Sequence, residues 1–407
     1  MKILIITPRI PYPPYRGDKL KIFNISKILA KTNSVTILTF HENRNSLIHL
    51  DEIKKYGIDI KTVSLPAIAS LLKITLAIFK NIPFQVAYFF SNKMKSEIKK
   101  SIRLNNYDVI YFHLIRSAQY LEAAKGSSAL KVLDFTDAVS LYLSRFAEVT
   151  RNPFKKIALK SELKRIEGYE TIAKKFDTLF ICSEKDKDYL EKKKLHPNIQ
   201  FLRNGFDAEQ FYGTHVPFTK NRIIFTGNMP YFPNHDAALF FTKEVFPLVR
   251  ENYPTSKFFI VGQKPPADVK RLESSNIVVT GFVKDIKREY QLSEVNVVPI
   301  RFGAGTLNKV IEALALGIPT VATSMSVAGL PKELKKYILL ADNAESFAEK
   351  IIFVFENESI RNNLMKEAQE VVYDLLSWEK IVGEFENYLN RRLNLKNNQP
   401  QEIPSKK

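Results

Sequence analysis

Residues 297–323 carry the side chains whose types and spacing point most directly to chemistry. An apolar, strand-like run leads to Arg301, and a loop containing Gly305 and Thr306 precedes a predicted helix. Free backbone N–H groups at a helix N-terminus, together with the helix dipole, favour a bound phosphate. The segment therefore predicts a phosphate site, with an ordinary glycine turn as the alternative.

The predicted helix also offers a cation and a carboxylate. Lys309 would neutralise phosphate charge, and Glu312, three residues later on the same helical face, would accept hydrogen bonds from two ribose hydroxyls. The alternative is a solvated Lys–Glu pair, which the isolated pattern favours equally.

A second candidate loop is Arg16-Gly17-Asp18, after the first predicted strand. Gly17 has no side chain and would let the backbone approach a ligand closely. The alternative is a plain strand-to-helix loop in which Asp18 caps the helix.

Two further side chains stand at predicted strand ends. His113 ends a strand, and Asp137 lies just beyond another, so both are expected to open into a cleft. A lone histidine is equally often a partly buried polar residue. Asp134 and Asp137 could also cap the following helix, so one of the two is expected to be functional.

The elements that must position these residues follow one pattern, in which apolar runs alternate with amphipathic, helix-length segments. This alternation is typical of parallel sheets covered by helices on both faces and predicts two doubly wound α/β domains. The predicted strands are 3–7, 34–40, 59–65, 109–112, 131–135 and 178–182, then 222–226, 257–261, 277–280, 295–299, 320–322 and 337–340.

The predicted domain boundaries follow from the same pattern. Residues 1–205 form the N-terminal domain, 206–220 a linker marked by glycine and proline, and 221–390 the C-terminal domain with terminal helices. Residues 391–407 are polar and are expected to be a disordered tail.

Composition bounds the functional class. The 407 residues are 45% hydrophobic and 26% charged, which excludes a disordered or fibrous protein. The single cysteine, Cys182, excludes an intramolecular disulfide, and no ligand spacing indicates a metal; a cytoplasmic location is expected. Cys182 itself is expected to be inert core. The net charge of +18 favours an anionic partner, but no nucleic-acid module is present.

Residues 65–90 are apolar, with Lys73 and Lys80 seven residues apart. A helix of this kind would suit shallow insertion into an anionic membrane surface, which would make the protein peripheral to the cell membrane. The alternative is a helix packed on the sheet.

The sequence of residues 312–321, EALALGIPTV, resembles the E-A-x-A-x-G-x-P-V-V motif of the retaining, nucleotide-sugar-dependent glycosyltransferases of family 4. The wider match covers most of the chain and is closest to sugar transferases of bacterial exopolysaccharide systems. It includes DFTDAVS at 134–140, RNGFD at 203–207 and FTGNMPYFPNHDA at 225–237.

The resemblance implies a GT-B fold: two Rossmann-like, doubly wound domains facing each other across a cleft, the first for the acceptor and the second for the donor. It implies transfer of a sugar from a UDP- or GDP-type donor, used as substrate without cofactor or metal. The implied acceptor is a saccharide or lipid-linked molecule of surface polysaccharide or lipopolysaccharide assembly, and the anomeric configuration is retained.

The resemblance also implies residue roles. Glu312 would bind the ribose, but the family's first glutamate is replaced by Ala304 and its usual basic residue by Asn228, so that Arg301 or Lys309 must supply the cation. Backbone groups of residues 281–286 would hold the base. Catalytic roles are expected for Arg301, Lys309, Asp137 and His113, and donor binding for Gly17, Asn228, Gly305, Thr306, Asn308 and Glu312.

Two alternatives remain at this stage. A non-hydrolysing UDP-sugar 2-epimerase would share the fold but needs a fuller set of carboxylates and histidines. A catalytically inactive scaffold is the other, because Ala304 and Asn228 depart from the family pattern.

Overall fold

The computed structural model describes residues 1–150, 152–211, 216–302, 308–360 and 364–398. Within this part of the chain, the strands form two sheets in which every pairing is parallel. Helices connect successive strands, which confirms the predicted α/β class.

The first sheet has seven strands in the order β3-β2-β1-β4-β5-β6-β7. Central strands are apolar on both faces because helices cover both, and each residue of the fourth strand is buried. The strands are β1 Lys2–Thr7, β2 Ser34–His41, β3 Asp59–Ser64, β4 Val109–His113, β5 Leu130–Thr136, β6 Thr178–Ile181 and β7 Ile199–Phe201.

The second sheet has six strands in the order β10-β9-β8-β11-β12-β13. In both sheets the strand order reverses beside the first strand of the domain, and ligands of doubly wound folds bind at that switch point. The strands are β8 Arg222–Thr226, β9 Lys257–Val261, β10 Ile277–Gly281, β11 Val295–Val298, β12 Thr320–Ala322 and β13 Leu339–Leu340.

The helices of the first half are α1 Gly17–Leu29, α2 Leu50–Lys54, α3 Ala67–Lys80, α4 Phe84–Tyr88, α5 Asn92–Leu104, α6 Val139–Val149, α7 Pro153–Glu170, α8 Glu184–Lys192 and α9 Ala208–Phe211. Those of the second half are α10 Phe232–Phe240, α11 Phe246–Asn252, α12 Ala267–Lys270, α13 Ile286–Gln291, α14 Asn308–Ala315, α15 Lys332–Lys335, α16 Ala344–Glu356, α17 Met365–Leu376 and α18 Trp378–Asn397.

Each predicted strand has a counterpart within two residues at its ends, and three coincide fully with β8, β9 and β12. β7 was not predicted, because it has three residues and only Ile199 among them is buried. The predicted disordered tail, 391–407, also needs correction, since α18 continues to Asn397 and residues 391–397 are therefore helical.

The last helix returns to the first domain. Phe385 packs edge-on against Tyr111 and Phe180, with ring centroids 5.7 and 5.1 Å apart, and Tyr388 lies 2.9 Å from the Thr178 hydroxyl. α18 therefore packs on the N-terminal sheet, whereas the sequence pattern had placed it with the C-terminal domain.

The chain crosses between the two domains twice, and the two crossings touch at Gly205. The backbone N–H of Phe206 donates to the Leu376 carbonyl at 3.0 Å. A Cβ at position 205 would lie 2.8 Å from that same carbonyl oxygen and 2.9 Å from the Trp378 ring. Glycine is needed here because the two backbone segments approach too closely for a side chain.

The carboxyl edges of the two sheets face each other. Tyr142 on α6 stacks on Tyr231, which follows β8, with centroids 6.4 Å apart, and Phe146 stacks on Phe302 at 6.1 Å. On the other side, Tyr15 of the loop after β1 contacts Phe282 after β10 at 5.2 Å. These contacts line the cleft into which the strand-end residues were expected to open.

The apolar helix α3 is not packed on the sheet by its apolar face. Only Ser70 and Ala77 are buried, and Lys73 turns inward to donate to the Phe90 carbonyl at 2.7 Å. The large apolar side chains lie outward, with Phe79 88% exposed. The alternative, in which the apolar face of α3 packs on the sheet, is therefore wrong for most of that face.

Candidate active site

Lys309 is the central cation of the C-terminal edge. It lies near the start of α14, where it is 8% exposed, and its Nζ donates to Asn234 Oδ1 at 2.6 Å and sits 4.3 Å from the centroid of the Phe225 ring. Asn234 in turn donates to the Asn228 carbonyl at 3.0 Å. Burial lowers the pKa of Lys309 to about 7, although Glu312 opposes this shift.

Glu312 lies one turn further along α14. Its Oε2 accepts from the buried Tyr290 hydroxyl at 3.4 Å, and the same hydroxyl lies 2.6 Å from Thr226 Oγ1 at the end of β8. Burial raises the pKa of Glu312 to about 7, partly offset by the charge of Lys309. The predicted pair thus shares one helical face, and it is partly buried rather than solvated.

Arg301 follows β11 and is held by a bidentate ion pair. Its Nε and Nη2 donate to the two carboxylate oxygens of Asp236 at 2.9 and 2.7 Å. The guanidinium lies 4.6 Å from the centroid of the Phe240 ring, and the hydrogen bond to Asp236 raises its pKa. The Asp236 carboxylate therefore balances the charge of Arg301.

The loop between Arg301 and α14 carries the predicted residues Gly305 and Thr306, which lie outside the described residues together with Gly303 and Ala304. Asn308 begins α14, and its Oδ1 is buried with no hydrogen-bond partner in the described part of the chain. Asn308 thus stands at the helix N-terminus where the sequence predicts a phosphate site, and that site stays a prediction.

The turn after β8 approaches the turn after β9 closely. A Cβ on Gly262 would lie 1.7 Å from the Gly227 carbonyl oxygen, so glycine is obligatory there. This contact fixes the backbone of residues 227–228 and hence the carbonyl of Asn228 that orients Asn234.

At the opposite edge, His113 ends β4 but is only 1% exposed. Its Nδ1 lies 3.0 Å from Thr7 Oγ1, and its ring stacks on Tyr111. Burial lowers the pKa of His113 to about 4, so the imidazole is neutral at pH 7. The expectation that His113 opens into the cleft is wrong, because these neighbours cover it.

Sequence reasoning missed a buried ion pair beside His113. Lys21 on α1 and Asp134 on β5 are both 1% exposed or less, and Lys21 Nζ lies 2.9 Å from Asp134 Oδ2. Asp134 also accepts from the Tyr111 hydroxyl and from the backbone N–H of Thr136, whose φ of 64° is left-handed. Asp134 therefore fixes the turn that presents Asp137 and is neither a helix cap nor a cleft residue.

Asp137, at the same edge, is partly exposed. Its Oδ1 accepts from the Cys182 thiol at 3.4 Å, and ligand-type atoms of Asp137, Cys182 and Asp186 lie within 4.8 Å of one another. Burial and the neighbouring Asp186 raise the pKa of Asp137 to about 7. Cys182 is buried, as expected for a core residue, and its thiol contacts Asp137.

Gly17 is the first residue of α1, and a Cβ there would meet no atom of the described chain within 4 Å. The space beside Gly17 is thus not limited by the protein's own packing. The N-cap of α1 is Arg16, and Asp18 lies in the first turn, where it binds Arg9 and Arg16. The alternative role of Asp18 as the helix cap is therefore wrong.

The predicted residues thus fall into two groups on facing edges. Asn228, Lys309 and Glu312 are joined through Asn234 and Tyr290, whereas Gly17, His113 and Asp137 belong to the N-terminal domain. The sequence did not predict that Asn234 would bind Lys309 or that Asp236 would bind Arg301. Both lie in the FPNHDA block, which carries part of the family resemblance and could have indicated them.

Comparisons with known proteins agree with this architecture. Residues 220–357 match the family model described as Glycosyl transferases group 1. No match was found among the curated proteins. Solved structures that resemble the chain include several that are 11–16% identical to it, a level at which the likeness concerns the fold.

Three of these structures cover nearly the whole chain. HepE from Anabaena in complex with UDP has 13% identity and a TM-score of 0.66, covering 96% of this chain and 100% of its own. Sucrose-phosphate synthase from Thermosynechococcus elongatus has 15% identity and a TM-score of 0.68, covering 97% and 100%. TarM from S. aureus, solved with fondaparinux, alpha-GlcNAc-glycerol and UDP, has 14% identity and a TM-score of 0.69, covering 96% and 100%.

The fold and the matched domain define the class of the protein. The predicted GT-B fold is confirmed, and the chain is a GT-B enzyme that carries a glycosyl transferases group 1 domain in its second half. Among the helices of the described residues, none is both long enough and apolar enough to cross a membrane.

Proposed function

We propose that the protein transfers a sugar from a nucleoside diphosphate sugar of UDP or GDP type to an acceptor hydroxyl. The observation that carries this proposal is the pair on α14, where a buried cation and a carboxylate stand one turn apart beside the end of β8. Lys309 would contact the diphosphate and Glu312 the ribose, with the N-terminus of α14 at the phosphates.

The proposed reaction proceeds with retention of anomeric configuration. The bond from the anomeric carbon to the phosphate oxygen breaks while the acceptor oxygen bonds to the same carbon on the leaving-group face. The acceptor proton passes to a β-phosphate oxygen, so that no protein nucleophile is consumed. Lys309, Arg301 and the N–H groups of α14 stabilise the charge that develops on the diphosphate.

We further propose that the acceptor is a saccharide or lipid-linked molecule of bacterial surface polysaccharide or lipopolysaccharide assembly. This assignment is supported by the resemblance of the sequence blocks to exopolysaccharide-associated transferases. On this basis Asp137, at the facing edge, would contact the sugar or the acceptor. His113 is buried and neutral, so it would influence the site from beneath that surface without contacting the substrate.

Removal of the Glu312 charge tests the donor site. In Glu312→Gln we expect donor affinity to fall by about 10- to 100-fold for each charge-assisted hydrogen bond to a ribose hydroxyl, since each contributes about 1.5–3 kcal/mol. The measurement is calorimetric titration with UDP, GDP and their glucose conjugates, after a thermal-shift screen has selected the base.

Glu349→Gln, an exposed carboxylate on α16, is the matched control and should bind like the unmodified chain. An unchanged donor Kd in Glu312→Gln would remove Glu312 from the site.

Incubation with UDP-N-acetylglucosamine alone separates epimerisation from transfer, because only an epimerase would form the 2-epimer without acceptor.

We propose that the enzyme works at an anionic membrane surface through α3. Its outward face combines exposed apolar side chains with Lys80, on a chain of net charge +18. Such a face favours shallow insertion, with about 1 kcal/mol per lysine near anionic lipid. The apolar side chains are Ile68, Leu71, Leu72, Leu76, Ile78 and Phe79.

Flotation with liposomes tests this surface. We expect Leu72→Glu/Phe79→Glu to lose binding to anionic vesicles, because a charge on the inserted face opposes burial in the lipid. The control Phe353→Glu/Tyr373→Glu changes two exposed aromatics of the C-terminal domain and should float normally. Equal flotation of both double variants would reject α3 as the docking face.

A further inference from the structure

A cluster of cations surrounds Asp18 at the carboxyl edge of the N-terminal sheet. Arg9, after β1, lies 3.3 Å from Asp18 Oδ2, and Arg16, before α1, lies 3.2 Å from Asp18 Oδ1. Arg116, in the 3-10 helix Ile115–Ala124 after β4, acts on the same carboxylate electrostatically. Three chain segments thus direct guanidinium groups to one place.

The cluster has more positive than negative charge. Lys19 and Glu42 are the further charged groups that act on it. The four cations face two carboxylates, which leaves a net charge of +2. Burial and the neighbouring arginines lower the pKa of Arg116 to about 10, as expected where cations crowd without enough counter-charge.

The arginines are held in place by Phe89. The guanidinium carbons of Arg9 and Arg116 lie 5.1 and 5.5 Å from the centroid of its ring. Arg116 Nε is buried and has no hydrogen-bond partner among the described residues, so a donor remains unused. A buried donor without an acceptor is costly, and arginine forks match phosphate oxygens well.

The cluster lies on the domain that faces the Lys309–Glu312 pair. It lies on the N-terminal domain, whereas Lys309 and Glu312 are on the facing domain. The loop that carries Arg16 also reaches across the cleft, where Tyr15 contacts Phe282. The cluster therefore stands at the cleft on the side opposite Lys309 and Glu312, and Gly17, which the sequence predicts as a donor contact, lies between Arg16 and Asp18.

We propose that Arg9, Arg16 and Arg116 form a binding site for a phosphate or diphosphate group of the acceptor. This inference rests on the proposed function and names the chemical class of its acceptor. A diphosphate would balance the net charge of +2, whereas a single sugar carboxylate would leave half of it. The group can belong to a lipid-linked acceptor or to a soluble phosphorylated sugar, which share this chemistry.

The test is calorimetric titration of the full chain with geranyl diphosphate, geraniol and inorganic diphosphate. The chain is first saturated with UDP or GDP, whichever stabilises it, so that the donor site is occupied. We expect geranyl diphosphate to bind and geraniol not to bind. Arg9→Gln and Arg116→Gln should each weaken binding by about tenfold, the effect of losing one charge-assisted contact.

Two further variants serve as a control and as a test of the role of Asp18. Arg165→Gln is the matched control, because Arg165 also lies over a phenylalanine ring of the same domain, at 4.7 Å from Phe84, and also has a buried, unpaired Nε in the described structure. It should leave affinity unchanged. Asp18→Asn removes the competing carboxylate and should strengthen binding, whereas a purely structural Asp18 would make this variant bind more weakly.

Equal affinity of the unmodified chain, Arg9→Gln and Arg116→Gln would overturn the proposal, as would equal binding of geraniol. Inorganic diphosphate binding as tightly as geranyl diphosphate would identify a soluble phosphate ligand, and weaker binding a lipid-linked one. Nucleotide saturation is measured in the same samples. Failure to bind any nucleoside diphosphate would reject the proposed function separately from the acceptor site.

Discussion

Lys309→Met is expected to lower kcat by about 100- to 1,000-fold, the loss seen when one preorganised donor to a developing anion is removed. Negative charge on the leaving diphosphate is greatest in the transition state, so kcat should fall more than the donor KM rises. Methionine fills a similar volume against the Phe225 ring, which limits packing damage. The measurement is initial-rate kinetics of nucleotide release with saturating acceptor.

The pH dependence provides a second readout of Lys309. In the free enzyme the pKa values of Lys309 and Glu312 are both about 7. The ammonium is lost above this pH and the carboxylate below it, so kcat/KM should be bell-shaped around pH 7. Bound diphosphate raises the pKa of Lys309, which moves the alkaline limb upward in kcat. In Lys309→Met that limb should disappear.

The exposed Lys270, on α12 of the same domain, provides the matched control as Lys270→Met. Its kcat and pH profile should equal those of the unmodified enzyme. If Lys309→Met kept its kcat and only the donor KM rose, Lys309 would be a ground-state contact, and the proposed stabilisation of the leaving group would be wrong.

Sequence alone was sufficient where a feature depends on neighbours along the chain. The strands were located because buried parallel strands are short apolar runs bounded by turns. The Lys309–Glu312 pair followed from helical spacing, because side chains three residues apart share a face. The structure adds that Lys309 is buried, that Glu312 is partly buried and that both pKa values are shifted.

Features that depend on distant residues could not be predicted in this way. Asn234, which holds Lys309, lies 75 residues before it, and Lys21 pairs with Asp134 across 113 residues. For Lys73 the prediction from local sequence was wrong. Helical periodicity placed it on a membrane-facing surface, but the Phe90 carbonyl, 17 residues away, draws it inward.

Asp137→Asn is expected to stabilise the protein at alkaline pH and to reduce turnover. Burial and Asp186 raise the pKa of Asp137 from 3.8 to about 7 in the folded state. Folding therefore favours the protonated form, and stability is lost as the pH rises toward 7, where the folded-state carboxyl ionises. Asparagine cannot ionise, and its carbonyl oxygen can still accept from the Cys182 thiol.

The expected gain is about 2–4 kcal/mol at pH 8, where wild-type Asp137 is charged, and it should shrink as the pH falls and vanish below the unfolded-state pKa of 3.8. Thermal midpoints of both proteins across this pH range measure it, with Asp188→Asn, an exposed carboxylate on α8, as control. A stability difference independent of pH would contradict the raised pKa. Full turnover in the stabilised variant would show that Asp137 is a structural carboxyl, whereas a loss of turnover would show that the protein keeps a destabilising group at this edge because the reaction needs it.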